Sequence, residues 1–456
     1  MRKLLIVFIA LSLNSCSLDN KTGIWKDASE ISVDNRILKS IPQNSTATRY
    51  ENISTQNKIF NEEIDPVKSS NFKIDEAIKI INWPEQYALP NNNVSNFSYS
   101  GNRILLSKSS RLNNFSSSKN NLSKKIIFYK NNLIFHDNKG TIFIYSLELN
   151  KKIFKYNFYK KNFKNIDKKI DLIVNGDILY AADNLGYLYA LNLKNKSIKW
   201  AKNYGIPFRS NLKLVNNQIF LANQDNVIYS INSDTGKKNW QFATSLTFLK
   251  SDFRNNFALD LINNNLFFLN TSGELYSINY QTQNINWVLN FKNASLAGDT
   301  ELFLSHPLAL KGNNLIVSTE KSLLSYNILT AERNWILPSE PIFKPVITSN
   351  YTYTILKNGL IISVENISGK VFWSKNIFTY IINNDIRKFG NIIDLKIVNG
   401  EINIYSSNGY LLALNHKSGK FISITKFSKS GIASEVFYLN NNIVLINSKS
   451  RLLRFN

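Results

Sequence analysis

Cysteine is nearly absent: the chain of 456 residues has one, Cys16. A lone thiol closes no intrachain disulfide and builds no cysteine-rich zinc site. Histidine is scarce as well. His136, His306 and His416 lie far apart without ligand-like spacing, His416 in a polar Asn-His-Lys-Ser-Gly turn and His306 just before Pro307. All three read as turn or surface residues, and no metal site is expected. Acidic residues number 32 against 55 basic ones, a formal net charge of +23, and no carboxylate cluster suggests a calcium site. The basic excess is spread along a chain rich in Lys, Asn and Ile, and its densest stretch, residues 160–169, reads as a solvated loop. No nucleic-acid partner is expected; weak attraction to anionic lipid is. Long apolar runs are missing too. The run at residues 4–13 is broken only by Ser12 and reaches half of the about 20 residues that a helix needs to cross a bilayer.

That run follows the basic Met1-Arg2-Lys3, so it reads as the apolar region of a secretory signal. It ends in Leu13-Asn14-Ser15-Cys16, which resembles the bacterial lipobox. The resemblance implies that residues 1–15 are removed and that Cys16 is diacylated as the new N-terminus. Ser17 in place of Asp resembles the pattern for sorting to the outer membrane. A plain signal peptide with an incidental cysteine is the alternative. Once acylated, the chain keeps no thiol, which excludes a cysteine nucleophile. Residues 16–71 are polar, poor in apolar periodicity, and read as a disordered tether to the membrane.

Beyond the tether one frame recurs. Gly186-Tyr187-Leu188-Tyr189-Ala190-Leu191-Asn192, with Trp200 eight residues on, returns at 140–146, 226–232, 273–279, 321–327, 359–365, 409–415 and 450–456. The mean step is about 44 residues, the period of a solenoid, propeller or array. Each copy contains a short β-favouring run, a turn marked by Gly or Asn, and a return strand apolar on both faces. A second turn follows, clearest in Asp234-Thr235-Gly236-Lys237, Ser368-Gly369-Lys370 and Ser418-Gly419-Lys420, then a strand carrying Trp. With the residues leading into the next copy this makes four strands, one propeller blade. The predicted fold is all-β: an eight-bladed propeller of four-stranded blades over residues 72–456. The eighth copy stops at Asn456 with no Trp strand of its own, so residues 77–83, ending in Trp83, are predicted to complete it and lock the ring. Trp200, Trp240, Trp287, Trp335 and Trp373 recur once per blade and read as blade-to-blade packing.

The frame, followed by Thr-Gly-Lys and Trp, resembles the pyrroloquinoline-quinone-type propeller repeat. Two families carry it: the quinoprotein dehydrogenases, and the BamB lipoproteins of the outer-membrane β-barrel assembly machinery. The lipobox, the polar tether, Trp83-Pro84, the eight copies and Gly205-Ile206-Pro207-Phe208-Arg209-Ser210 resemble the second. The first holds its quinone against a disulfide of adjacent cysteines and over calcium, for which this chain lacks the residues. The BamB resemblance implies a non-catalytic scaffold without cofactor, on the periplasmic face of the outer membrane. Its implied partners are the POTRA domains of the barrel-forming subunit, lipid through Cys16, and unfolded outer-membrane proteins. A propeller that captures a ligand in its funnel is the alternative. The family contact is a Leu-x-Leu-Arg-Gly loop with an Asp-x-Asp pair one blade later. Ser251-Asp252-Phe253-Arg254-Asn255 keeps the apolar residue and the Arg, and Asp299-Thr300-Glu301 the charge. This nominates Phe253, Arg254, Asp299 and Glu301, with Phe208 and Arg209 as a competing match one blade early.

Overall fold

The computed structural model describes residues 17–18, 25–26, 48–51, 58–66, 74–112, 125–159, 163, 165–246, 257–291, 302–381 and 386–456. Its strands form eight blades around one axis, and helix is limited to single turns at Ile377–Tyr380 and Ile386–Phe389 among the described residues. Blade 1 comprises Ile127–Tyr129, Asn132–His136, Thr141–Ser146 and Lys151–Asn157. Blades 2 to 7 repeat this antiparallel order, beginning at Ile170, Lys213, Phe257, Ala309, Val346 and Ile392. Blade 8 takes Phe437–Leu439, Asn442–Ile446 and Arg451–Phe455 from the C-terminus.

The recurring frame is the third strand of every blade, and the second and third strands are buried along nearly their whole length. Each is sandwiched between two neighbouring blades, which is why neither face of the sequence pattern is polar. Fourth strands are more exposed, as in Ser197–Asn203, where Trp200 is the one buried position. The first strands of neighbouring blades touch around the axis.

Closure comes from the N-terminal flank, but residues 77–83 do not supply it. Leu105–Arg111 pairs antiparallel with the last strand, with Phe455 opposite Leu105 and Arg451 opposite Arg111. Residues 77–83 are engaged elsewhere: Ile78 bridges Phe97, and Trp83 exchanges two backbone hydrogen bonds with Phe128 on the first strand of blade 1. Trp83 therefore lies at the axis, stacked on Phe97 and edge-on to Phe437, not at the rim where Trp200, Trp240, Trp287, Trp335 and Trp373 are.

Part of the stretch assigned to the tether is bound to the ring. Arg49–Tyr50 adds a parallel strand to the outer edge of blade 4. Phe60 donates its N–H to the Pro338 carbonyl at the edge of blade 5, and Ile64 bridges Ser374 on blade 6. Outer strands expose unpaired backbone groups, and this passage covers three such edges. Glu51 is held there, buried, by Arg49 at 2.8 Å and Arg333 at 3.2 Å.

The rim is built by one repeated joint. The Asn that ends a frame caps the following turn: Asn232 Oδ1 accepts from the N–H groups of Asp234 and Thr235, and Asn192, Asn279 and Asn327 do the same. Four residues after the frame's end the chain turns left-handed, at Lys196, Gly236, Gln283, Ala331, Gly369 and Gly419. Against three of these positions the preceding blade lays an indole: Trp200 on Gly236, Trp335 on Gly369 and Trp373 on Gly419. Trp200, Trp287, Trp335 and Trp373 donate Nε1–H to carbonyls of the next blade, those of Ser233, Ile328, Asn366 and His416. Each rim Trp stands opposite Ala or Ser on its own third strand, followed by a bulge that twists the edge strand.

Candidate functional site

Residues 80–97 cross the axis and touch the first strand, or its immediate flank, in all eight blades. Trp83 meets Phe128 of blade 1, and Pro84 accepts from Val174 of blade 2. Pro90 and Asn91 accept from Leu259 and Leu310 of blades 4 and 5. Asn92 Nδ2 donates to the carbonyls of Phe257 and Leu308 at 2.8 and 2.9 Å. Asn93 donates to Ile347 O at 2.8 Å and accepts from Ile347 N at 3.0 Å. Phe97 N donates to Ile397 O of blade 7, and Ile80 O accepts from Asn440 beside blade 8. Blade 3 is reached by charge. Lys213, fully buried, donates to Glu85 and, at 2.6 Å, to Asn92 Oδ1. Burial raises the Glu85 carboxyl and lowers the Lys213 ammonium, and their mutual attraction works against both shifts. Inner strands are sheet edges facing the axis, so this plug hydrogen-bonds backbone groups that the blades leave open.

The plug reaches the starts of inner strands, at Phe257 and Lys213, as well as later positions, at Val174, Leu259 and Ile397. Beside it a cavity of about 210 Å³ remains, lined on the plug side by Trp83, Tyr87, Asn92, Val94 and Phe97. Around it stand His306, Phe343, Lys344, Asp394, Lys396 and Glu435. Lys396 lies 3.1 Å from Asp394 and 3.9 Å from Glu435, with its ammonium 5.5 Å from the centre of the Trp83 ring. Burial disfavours the Lys396 charge, but the two carboxylates outweigh it and hold its pKa above the ordinary lysine value. Burial lifts Glu435 to about 7 and, with Lys396 nearby, brings Lys344 down to about 7. Two groups that exchange protons near neutrality thus line one cavity.

Residues of three connections, among them His306, Ile342 and Glu435, line this cavity. Arg209, His306, Ile342 and Ala433 are equivalent: each donates its N–H to the last residue of its blade's second strand, Ala222, Ser318, Ile355 or Ile446. Arg209 is half-buried there. Phe208 is fully buried, packed edge-on against Tyr204 and Tyr229, and bridged to Asn223. It is a core residue between blades 2 and 3 and cannot face a partner, which removes it from the contact set. Phe253 and Arg254, between blades 3 and 4, Asp299 and Glu301, between blades 4 and 5, and Cys16 lie outside the described residues.

His136 and His416 are buried instead of lying on the surface; the carbonyl of His416 serves the Trp373 joint, and the His136 ring contacts the Asp137 carbonyl at 3.0 Å. Among the described residues no three His, Cys, Asp or Glu side chains come together as a metal site requires. The sequence reading missed the plug and the cavity charges. Their signal was a lysine inside an apolar first strand, as in Asn211-Leu212-Lys213-Leu214-Val215 and Asp394-Leu395-Lys396-Ile397-Val398. Such a lysine is stable only opposite buried partners.

Solved structures share this fold. BamB from Moraxella catarrhalis superposes with a TM-score of 0.59 at 14% identity, covering 77% of this chain and 99% of that one. The quinohemoprotein alcohol dehydrogenase ADHIIG of Pseudomonas putida HK5 gives 0.57 at 10% identity, over 82% and 80%. At these identities the likeness is one of fold. In sequence, a curated relative described as outer membrane protein assembly factor BamB, from Legionella pneumophila (strain Paris), is 32% identical over 76 residues. That is 17% of this chain, and the match spans 19% of the relative's length. The sequence model of the family described as "Outer membrane protein assembly factor BamB" matches residues 160–375 and 261–456, from the end of blade 1 to the C-terminus. The chain is a member of the BamB family of outer membrane protein assembly factors.

Proposed function

We propose that this chain is a non-catalytic scaffold of the outer-membrane β-barrel assembly machinery, anchored by an acylated Cys16 to the periplasmic face of the outer membrane. In this reading it binds the POTRA domains of the barrel-forming subunit and assists insertion of β-barrel proteins. The observation that carries it is family membership across blades 2 to 8. Among the described connections, that of Arg209 holds its arginine half-buried. In sequence Phe253 and Arg254 fall between blades 3 and 4, and Asp299 and Glu301 between blades 4 and 5; an aromatic, an arginine and two carboxylates suit docking to a mixed-charge surface.

Copurification of the barrel-forming subunit from detergent-solubilised membranes tests the reading. Arg254→Glu abolishes it, while Arg209→Glu, on the rival connection, weakens it less; the stronger loss marks the contact. Failure of the wild-type chain to bring down that subunit refutes the scaffold role.

A further inference from the structure

Docking through the connections leaves the funnel cavity without a task, yet its lining is that of a ligand site: flat apolar walls and a few convergent polar groups. Trp83, Tyr87, Phe97 and Phe343 supply aromatic surface. Of the charges, Lys396 and Asp394 satisfy each other, and Asp394 also accepts from the N–H groups of Leu395 and Val436. Lys344 differs. A lysine carries three donors, and Lys344 has a hydrogen bond to the Pro345 carbonyl at 3.3 Å and the ring of Tyr87 at 5.5 Å. Glu435 Oε2 is buried without a hydrogen-bond partner, its nearest charge the Lys396 ammonium at 3.9 Å. A cavity of about 150 Å³ holds one benzene, so 210 Å³ accommodates one ring with a short acidic arm.

We propose that the funnel binds a small aromatic monocarboxylate, with its ring on the plug aromatics and its carboxylate between Lys344 and Glu435. The ammonium of Lys344 donates to one carboxylate oxygen, and protonated Glu435 donates its O–H to the other. Both protein groups must hold a proton to receive the anion, and both have their pKa brought to about 7, Lys344 from above and Glu435 from below. The charges acting on them are Lys396 and Asp394 on blade 7, with Lys213 on blade 3 acting on Lys344, and His306 before blade 5 lines the same cavity. A group with a pKa near 7 is about tenfold less protonated at pH 8 than at pH 6. Affinity for the anion therefore falls as pH rises through 7, and binding at pH 8 draws protons from the buffer.

Phenylacetate, titrated calorimetrically into the full chain in two buffers of different ionisation enthalpy, tests this. One molecule binds per chain, about tenfold or more weaker at pH 8 than at pH 6, with proton uptake at pH 8. Phenylacetamide, of the same shape without the charge, binds at least about tenfold more weakly at pH 6. Lys344→Met loses phenylacetate binding, and Lys426→Met, outside the cavity, keeps it. The proposal is overturned by no binding at millimolar phenylacetate, by equal binding of phenylacetamide, or by full binding to a folded Lys344→Met chain. Should that variant fail to fold, the acid–amide comparison and the pH dependence decide on wild-type protein.

Discussion

Gly419 lies against the indole of Trp373, so close that a Cβ there would come within 2.6 Å of Cζ3, while Trp373 Nε1 donates to the His416 carbonyl of the same turn at 3.0 Å. One blade thus clasps the next by a ring on a bare backbone and by a hydrogen bond.

Gly419→Ala is expected to cost ~2–3 kcal/mol, from left-handed strain and the displaced indole together. Gly176 shares a positive φ, 57° against 64°, but has nothing within 4 Å of the added atom. Gly176→Ala should cost only about 1 kcal/mol. Urea denaturation of the two variants separates conformational strain from loss of the joint; equal costs would mean that the contact contributes nothing.

The plug is tested at Asn93, whose amide satisfies both the N–H and the carbonyl of Ile347. Asn93→Ala strands two buried backbone groups and should lower stability by ~2–4 kcal/mol. Asn93→Asp keeps the acceptor and loses the donor, and its melting temperature should fall between those of the alanine variant and the wild type.

Lys344 and Glu435 give the ring an unusual stability profile. Glu435 is raised from 4.5 to about 7, so between these values the folded chain binds a proton that the unfolded chain has released, and stability falls as pH rises. Lys344 is lowered from 10.5 to about 7, so above 7 the unfolded chain holds the extra proton, and stability rises with pH. Together they place a minimum near pH 7. Melting temperatures from pH 5 to 9 should dip there in the wild type and flatten in a Lys344→Met, Glu435→Gln double variant.

Cys16→Ser is expected to release a processing-deficient chain from the membrane fraction, with no incorporation of labelled palmitate. Label in that variant would place the lipid elsewhere.

Blade number and strand order were legible because every third strand ends in the same apolar frame, and the Asn that closes it caps the following turn. The closing strand was not. Leu-Leu-Ser-Lys-Ser-Ser-Arg at 105–111 carries neither Trp nor a flanking glycine turn, whereas residues 77–83 have a Trp and none of the pairing. The Trp of a blade reports a joint with the next blade, and at the seam that joint is absent. Proline and three consecutive asparagines at 90–93 carry no strand or helix pattern, yet they form the plug, because short amides reach many backbone groups without needing a strand of their own. Phe208 was nominated because residues 206–210 resemble the family's contact pattern; its burial depends on Tyr229, in the next blade.

The seam also sets a timetable for biogenesis. Ser109 Oγ accepts the N–H of Leu452, 343 positions later in the chain. At 5–20 residues per second, synthesis of that interval lasts roughly 20–70 s, during which the strand at 105–111 has no partner and the plug lacks most of its sockets. An emerging chain therefore carries an open β-edge until Arg451–Phe455 has been made. The five-residue strand Arg451–Phe455 decides when that edge stops being a hazard, so its deletion should be felt first as aggregation during export.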